Sequence, residues 1–167
     1  MADGTLDRLD LALLEALREH PRAGALELSR LTKVARGTVQ ARLRRLEEGV
    51  VTGYGPDIDL EAAGFPVSAI VTLEIAQGAL DQLSADLEAL PEVLEAHVTT
   101  GTYDVVCRVA ASSHHHLQDA LLQLTRLSTV RRSTSVVILS ELVGPRVMPL
   151  LRRSAQERGA RAPAHRS

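Results

Sequence analysis

The chain is poor in cysteine and in aromatic residues, and each shortage argues against a class of site. Its 167 residues include one cysteine, Cys107, which excludes an internal disulfide and a zinc site built on cysteines; we expect it to lie buried on a strand. One phenylalanine, two tyrosines and no tryptophan make up its aromatic side chains. RNA-recognition sheets stack bases on aromatic residues of their central strands, so this composition argues against RNA binding.

Long apolar runs are also missing. No segment approaches the roughly 20 consecutive apolar residues of a membrane span. The N-terminus, MADGTLDRLD, lacks the apolar core of a secretory signal. We therefore expect a cytoplasmic protein with no membrane partner. Three consecutive histidines, His114 to His116, would point about 100° apart on a helix, so we predict neither a metal site nor a bound cofactor.

Charge is distributed unevenly along the chain. The net charge is -2, yet residues 1–50 carry +1, residues 51–145 carry -8 and residues 146–167 carry +5. Six basic residues and no acidic one lie between Arg30 and Arg45. Such a local concentration in a slightly acidic protein is typical of a surface that binds phosphates.

The first 50 residues have the periodicity of three helices, over about Thr5 to His20, Ala25 to Thr32 and Arg36 to Glu48. We expect Gly49 to end the third helix at its C′ position. On that helix Arg42 lies beside the apolar stripe, so we predict that it pairs with Glu47 or with an acidic residue of the first helix.

A strand–helix–strand order occurs twice after residue 67. The predicted elements, in chain order, are strand Ser68–Ile75, helix Leu80–Ala89, strand Val93–Thr100, strand Tyr103–Ala110, helix His114–Leu127 and strand Ser135–Leu142. This order predicts a ferredoxin-like βαββαβ domain with a four-stranded antiparallel sheet and both helices on one face. Because the strands are apolar on both faces, we expect a second copy to cover the open face and form a homodimer.

The predicted architecture is therefore α+β, with a winged helix-turn-helix before the ferredoxin-like domain. We place a DNA-binding domain at residues 1–52, a wing and linker at 53–66 and an effector-binding and oligomerisation domain at 67–145. The basic tail at 146–167 has too few apolar residues to pack, so we expect it to be disordered. Its arginines would attract nucleic acid without specificity, or the tail is simply solvated.

The polar face of the third helix carries the candidate DNA-reading residues. Small residues there would let the helix backbone approach the floor of a groove, while polar side chains near its start would meet base edges. Arginines further along would bind phosphates and hold the register. The predicted DNA-binding residues are Arg36, Gly37, Thr38, Gln40, Ala41, Arg44 and Arg45.

Three segments together resemble the Lrp/AsnC (feast/famine) transcriptional regulators. They are LDRLDLALLEAL, ELSRLTKVARGTVQARLRRLEEGVVTGY and LPEVLEAHVTTGTYDVVCRV, within a resemblance that covers Leu6 to Val143. It implies a winged helix-turn-helix followed by a ferredoxin-like domain that binds amino acids and assembles dimers into octamers. Ala35 departs from the family, which usually has a serine capping the recognition helix at this position. The absence of this serine cap should cost about 1 kcal/mol of local stability, unless Thr32 or a water molecule caps the helix instead.

The turn between the two middle strands is the candidate effector site. Gly101 supplies a permissive backbone, free amides around it would hold a carboxylate, and Asp104 would accept an ammonium group. The resemblance implies that such a turn and hydroxyl residues of the last strand line an amino-acid pocket between subunits. A hairpin without a ligand is the alternative. The predicted effector residues are Thr100, Gly101, Thr102, Tyr103, Asp104, Ser133 and Ser135.

We therefore predict a sequence-specific transcriptional regulator that binds double-stranded DNA and whose DNA binding or assembly responds to an amino acid or related metabolite. It is not predicted to be an enzyme. The alternative is a sirohaem-decarboxylase-like enzyme of the same architecture, which would need a cationic pocket on the sheet. The predicted strands offer Arg108 and His97 for that purpose and little else.

Overall fold

The computed structural model describes residues 6–161 and the side chains of residues 6–157. The chain divides into two compact units, which are described separately. The first, here called the head unit, comprises residues 1–56 and 144–167. The second, the sheet unit, comprises residues 57–143.

Three helices open the head unit: α1 (Arg8–Glu19), α2 (Ala25–Thr32) and α3 (Arg36–Gly49). They pack around a core of Leu13, Leu28, Val39 and Leu46, whose side chains are almost completely buried. The sequence prediction of these helices is confirmed to within a few residues at each end. The prediction for Gly49 is wrong, because it is the last helical residue and Val50 follows as the cap with φ of -125°.

The segment after α3 contains no strand. Residues 51–66, all within the described part of the chain, have no β structure, so the predicted wing is absent from this single chain. A strand needs a neighbouring edge to complete its backbone hydrogen bonds, and none pairs with this segment here. Tyr54 is held by a side-chain contact instead, since its hydroxyl donates to Glu47 Oε1 at 2.7 Å. Burial, together with this bond, raises the pKa of Tyr54 to about 12.

The sheet unit has the predicted βαββαβ order. Its elements are β1 (Val67–Ile75), α4 (Leu80–Glu88), β2 (Val93–Val98), β3 (Val105–Ala111), α5 (His114–Arg126) and β4 (Val130–Ile138). The strands form one antiparallel sheet in the order β2-β3-β1-β4. The α+β, ferredoxin-like prediction is therefore confirmed.

Three strands differ from the prediction by two residues or more, and the first of them, β2, ends at Val98 instead of Thr100. Strand β3 begins at Val105, two residues later than expected, and β4 lies about five residues earlier than the predicted Ser135–Leu142. Ile138 pairs with Ser68 near the start of β1, so the apolar residues that follow have almost no partner strand left. The polar start of β4 instead completes its hydrogen bonds along β1, which local hydrophobicity could not indicate.

The two faces of the sheet differ in what covers them. Alternate residues of β1 and β3, Cys107 among them, are buried with α4 and α5 in one core. Burial raises the pKa of the Cys107 thiol to about 11, as expected for a structural cysteine. The opposite, open face carries apolar residues from three strands: Ile70, Val106, Ala110, Val136 and Ile138.

A sixth helix, α6 (Met148–Arg161), follows the sheet unit and packs on α1 within the head unit. Met148 is buried, and Arg152 Nε lies 2.5 Å from Glu15 Oε1. The prediction of a disordered tail is therefore wrong for residues 148–161, because one buried methionine and an ion pair suffice to dock a short helix. Residues 162–167 of the predicted tail lie outside the described residues.

Candidate functional site

The exposed face of α3 contains every predicted DNA-binding residue. Val39 and Leu46 point into the head core, which turns the opposite side of the helix to solvent. That side presents small and polar residues near its start and arginines further along. The exposed residues are Arg36, Gly37, Thr38, Gln40, Ala41, Arg44 and Arg45.

Neither the packing of the described residues nor the backbone geometry requires a glycine at position 37. A Cβ atom added at this position would meet no other atom within 4 Å, and the residue has ordinary helical geometry. A glycine inside a helix costs roughly 0.5–1 kcal/mol relative to alanine. Nothing in the packing compensates for this cost, so the open space above Gly37 suits the close approach of another molecule.

Two arginines of α3 are bound to α1. Arg42 Nη1 lies 2.6 Å from Asp7 Oδ2 and 3.2 Å from Asp10 Oδ1, which confirms the predicted pairing with the first helix. Arg45 also pairs with Asp10, whose side chain is completely buried. Asp7 and Asp10 in addition cap α1, each carboxylate accepting the backbone N–H of the other residue.

These contacts shift the pKa values of the charged groups. Desolvation acts to raise the pKa of Asp7, but the Asp10 N–H and the Arg42 guanidinium outweigh it and lower that pKa below its usual range. Desolvation likewise opposes the charge on Arg42, and the two aspartates outweigh it and raise the Arg42 pKa. Asp7 and Arg42 are therefore charged at neutral pH, and Arg42 holds α3 against α1.

The remaining cations of the helix-turn-helix have no carboxylate partner. Across residues 6–157, no salt bridge within 4.0 Å involves Arg30, Lys33, Arg36 or Arg44. All four side chains are exposed. Their charge is consequently free to act on a ligand.

The turn into α3 leaves the start of that helix uncapped. Ser29 Oγ donates to the Val34 carbonyl at 2.6 Å and Thr32 Oγ1 to the Leu28 carbonyl at 2.7 Å, so Thr32 does not replace the missing cap. Ala35 provides no side-chain acceptor. The positive end of the α3 dipole is therefore open to an anion. Lys33 has a left-handed φ of 57° in this turn.

The predicted effector turn is a short hairpin between β2 and β3. Thr99 closes it, because its N–H donates to the Asp104 carbonyl at 2.8 Å and its Oγ1 to the Tyr103 carbonyl at 2.7 Å. Gly101 has φ of +117°, a conformation that favours glycine. Among the hydrogen bonds of the described residues, none uses the amides of residues 100–103. These amides are thus available to a carboxylate.

The carboxylate of Asp104 already accepts one hydrogen bond. Its Oδ2 accepts the backbone N–H of Ile75 at 2.8 Å, and its own N–H donates to the Leu73 carbonyl at 2.9 Å. The residue therefore ties the turn to the end of β1. A carboxylate has further lone pairs, so this bond leaves room for an ammonium group on the exposed side.

The structure does not bring the two predicted halves of the effector site together within one chain. Leu73 pairs with Val105 on one side and with Ser133 on the other, and Ser135 pairs with Val71. Ser133 is therefore two strand spacings, about 10 Å, from the β3 strand that follows the turn. Both serines lie on the helix side of the sheet, near its β4 edge.

Sequence reasoning missed the role of Asp10. It is a buried carboxylate in a capping box that also receives two arginines. The pattern Asp-x-x-Asp at the start of a helix could have indicated the cap. No local signal indicated Arg45 or singled out Asp10 as a partner of Arg42, because the two arginines lie 35 and 32 residues away in the chain.

Other classes of site find no support in the described part of the chain. It contains no group of three or more histidine, cysteine, aspartate or glutamate residues placed to hold a metal ion. The imidazole of His116 hydrogen-bonds Ser112, and His115 lies 3.9 Å from Asp119. No helix between residues 6 and 161 is both long enough and apolar enough to cross a bilayer.

Family comparisons match both units. The AsnC-type helix-turn-helix domain matches residues 6–47, and the Lrp/AsnC ligand binding domain matches residues 68–148. Almost all of α6 lies beyond these matches. The chain is 36% identical to the HTH-type transcriptional regulator Rv2324 of Mycobacterium tuberculosis, over 83% of this chain and 95% of that protein. It is 29% identical to the regulatory protein AsnC of Escherichia coli, over 89% and 100% respectively.

Solved structures agree. The structure of E. coli AsnC superposes with a TM-score of 0.77 at 28% identity, covering 87% of this chain and 99% of that one. The transcriptional regulator NMB0573 from Neisseria meningitidis, in complex with L-Met, gives a TM-score of 0.76 at 25% identity and covers 84% and 94%.

Proposed function

Because the chain belongs to the Lrp/AsnC family of transcriptional regulators, we propose that it reads its DNA sites with the exposed face of α3. The protein is a DNA-binding regulator that responds to an amino acid. The observation that carries the assignment to α3 is the combination of unpaired cations with an open, side-chain-free position at Gly37 on one exposed helix face.

Residues near the start of α3 contact bases. Gln40 can bond adenine through N6 and N7, and Arg36 can bond guanine through O6 and N7. Ala41 and Thr38 can contact a thymine methyl group. The thin ridge formed by Gly37 and Ala41 brings the backbone close enough for these side chains to reach the base edges.

Arg44 and Arg45 bind phosphates, but Arg45 has fewer hydrogen-bond donors left for this than Arg44. Arg44 is exposed and forms no salt bridge among the described residues, so its full charge is available. Arg45 shares its guanidinium with Asp10, and its side chain is about half exposed. It can contact a phosphate only through donors that Asp10 does not use, so Arg44 contributes more to affinity.

The effector is an amino acid that binds at the Thr100–Asp104 turn. The amides of residues 100–103 hold its carboxylate, and Asp104 accepts its ammonium group through lone pairs that Ile75 does not occupy. The complex of the N. meningitidis relative with L-Met supports this class of ligand. Since Ser133 and Ser135 lie two strand spacings from the turn in the same chain, they complete the pocket of a neighbouring subunit.

Two copies pair through the open face of the sheet and assemble further. Most apolar residues of that face are at least partly exposed in one chain; Val136, for example, is 64% exposed. A symmetric partner removes this area from water and places two head units on a pseudo-palindromic DNA site.

The decarboxylase alternative receives no specific support. Arg108 and His97 do lie on the open face, but Glu95 is the cross-strand neighbour of Arg108, and its Oε2 lies 3.7 Å from His97 Nε2. An acidic tetrapyrrole would meet mixed charge there instead of a cationic pocket. The relatives described above are transcriptional regulators.

Substitutions on α3 test the DNA assignment. Arg44→Ala should weaken binding to every duplex and reduce the slope of log Kd against log salt by about 1, because one phosphate contact is lost. Gln40→Ala should relax base preference at one or a few positions by about 1–3 kcal/mol. Fluorescence anisotropy with a selected operator and its single-base variants measures both effects.

Arg131→Ala removes an exposed arginine from the sheet unit and is the matched control. It should leave affinity and salt slope unchanged. If Arg44→Ala and Gln40→Ala both bind like this control, α3 is not the DNA-reading helix.

A further inference from the structure

The C-terminal helix α6 is the one described element that neither family domain explains. Its docking on α1 is specific, because Met148 is buried and Arg152 pairs with Glu15. α6 therefore belongs to the same compact unit as α3, and the charges it carries are held at the DNA-binding unit.

The contacts also give the direction of α6. Its first residues, Met148 and Pro149, and Arg146 just before the helix border the same crevice as Arg18 and Glu19 near the end of α1. Arg152, further along α6, meets Glu15, which is earlier in α1. The two helices are thus antiparallel, and α6 runs toward the start of α1.

The start of α1 is where Asp7 and Asp10 hold Arg42 and Arg45 of α3. From Arg152 to Arg161 the helix advances by about 14 Å at 1.5 Å per residue. From Glu15 to the start of α1 the corresponding distance is about 10 Å. The last turns of α6 therefore lie toward the same end of α1 as the arginines of α3.

The charge of this segment is strongly positive. Residues 146–167 contain six arginines and one glutamate in a chain whose net charge is -2. Among the arginines of this segment whose side chains are described, up to residue 157, Arg152 alone forms a salt bridge with α1. Arg153 is exposed and lies 3.9 Å from Glu157, a surface pair of the kind that contributes little. Arg158 and Arg161 follow in the last two turns of the helix.

We propose that α6 is a second DNA-contacting element, which binds the phosphate backbone outside the groove read by α3. This inference rests on the DNA-binding function proposed above. Arg153, Arg158 and Arg161 supply the phosphate contacts, and Met148 with Arg152 holds the helix on the head unit. Such contacts add affinity and salt dependence without adding base preference.

The test uses the full chain with the triple substitution Arg153→Gln, Arg158→Gln and Arg161→Gln. Glutamine is a good helix former, so circular dichroism should show unchanged helix content. The matched control is Arg126→Gln, Arg131→Gln and Arg132→Gln, which removes the same charge from exposed positions of the sheet unit. Affinity for the operator and for an unrelated duplex is measured over a series of salt concentrations.

The expected result is a salt slope smaller by about 2–3 than that of the wild type for both duplexes, with the ratio of the two affinities unchanged. The control should keep the wild-type slope, and a triple lysine variant at the α6 positions should restore it. If the triple glutamine variant keeps the wild-type salt slope, the proposal is wrong, and α6 only stabilises α1. Failure of the DNA-binding function itself is distinguishable, because Arg44→Ala would then also bind like wild type.

Discussion

At the scale of single residues, neighbouring arginines of α3 have different roles. Arg42 neutralises Asp7 and the buried carboxylate of Asp10, whereas Arg44, two positions later, forms no salt bridge among the described residues. A buried carboxylate left without its cation typically costs about 3–5 kcal/mol, so Asp10 must retain at least one arginine. Arg45 also pairs with Asp10. Some arginines of the basic cluster therefore stabilise the packing of α3 on α1, and the others are available to bind a ligand.

Asp104 permits a residue-scale test of the effector site. Asp104→Asn keeps an oxygen that can accept the Ile75 N–H but removes the negative charge. The variant should bind DNA like wild type and keep its melting temperature within a few degrees. The amino acid that wild type binds should lose at least tenfold in affinity, measured by calorimetry, because its ammonium group has lost a charged partner.

Asp104→Ala provides the comparison, since it removes both the charge and the bond that ties the turn to β1. It should lose effector binding and also some stability. Equal effector affinity for wild type and Asp104→Asn would show that the ammonium group binds elsewhere.

At the scale of elements, Gly37 makes α3 less stable than an alanine at the same position would. Gly37→Ala should raise the free energy of unfolding of the head unit by up to about 0.5–1 kcal/mol, the value for a helix interior, since the added methyl group meets no heavy atom within 4 Å outside its own helix. The same methyl group should weaken operator binding, because it holds the backbone away from the groove floor. Thermal unfolding and anisotropy together measure these opposite effects.

Gly49→Ala, at the other end of α3, is the control for this prediction. A methyl group there also has open space, but the position lies away from the predicted base contacts. It should leave operator affinity unchanged. Gly37→Ala binding as tightly as wild type would contradict a close approach at this position.

The elements also show where hydrophobic patterns mislead. The predicted β4, Ser135–Leu142, was centred on the apolar run from Val136 to Leu139, but the strand begins at Val130 and includes Arg131 and Arg132. Pairing with β1 decides its extent, and Leu139 beyond that pairing is 95% exposed. α6 was missed for a related reason, because its few apolar residues suffice only when α1 offers a surface.

At the scale of the whole molecule, the open sheet face leads to an assembly prediction. Val136→Asp places a charge in the apolar patch, on the edge strand β4, and should convert the proposed homodimer to monomers at micromolar concentration, because the carboxylate would be buried unpaired. Light scattering coupled to size-exclusion chromatography measures the mass. DNA affinity should fall as well, since two linked head units bind more tightly than one.

Val137→Asp is the matched control, on the same strand but on the helix side of the sheet. It should keep the dimeric mass. A wild-type monomer, or a Val136→Asp variant that stays dimeric, would place the subunit interface elsewhere.

The sequence by itself determined the helix-turn-helix, the βαββαβ order and the family. These features depend on local periodicity, on the order of elements and on motifs in sequence, such as the leucine spacing of α1 and the turn at Gly101. It also predicted that Arg42 pairs with Glu47 or with an acidic residue of the first helix, and the second alternative is the one found. The predicted DNA-binding and effector residues remain predictions, although the exposure of α3 and the free amides of the turn agree with them.

Only the tertiary structure decided how individual side chains and segments are used. Asp10 and Arg45 are 35 residues apart, Asp104 and Ile75 are 29 apart, and Glu15 and Arg152 are 137 apart. Local patterns cannot indicate such pairs, because the contact depends on the packing of separate elements. The same holds for β4 and α6, whose polar residues become ordered structure only when β1 and α1 provide the partners.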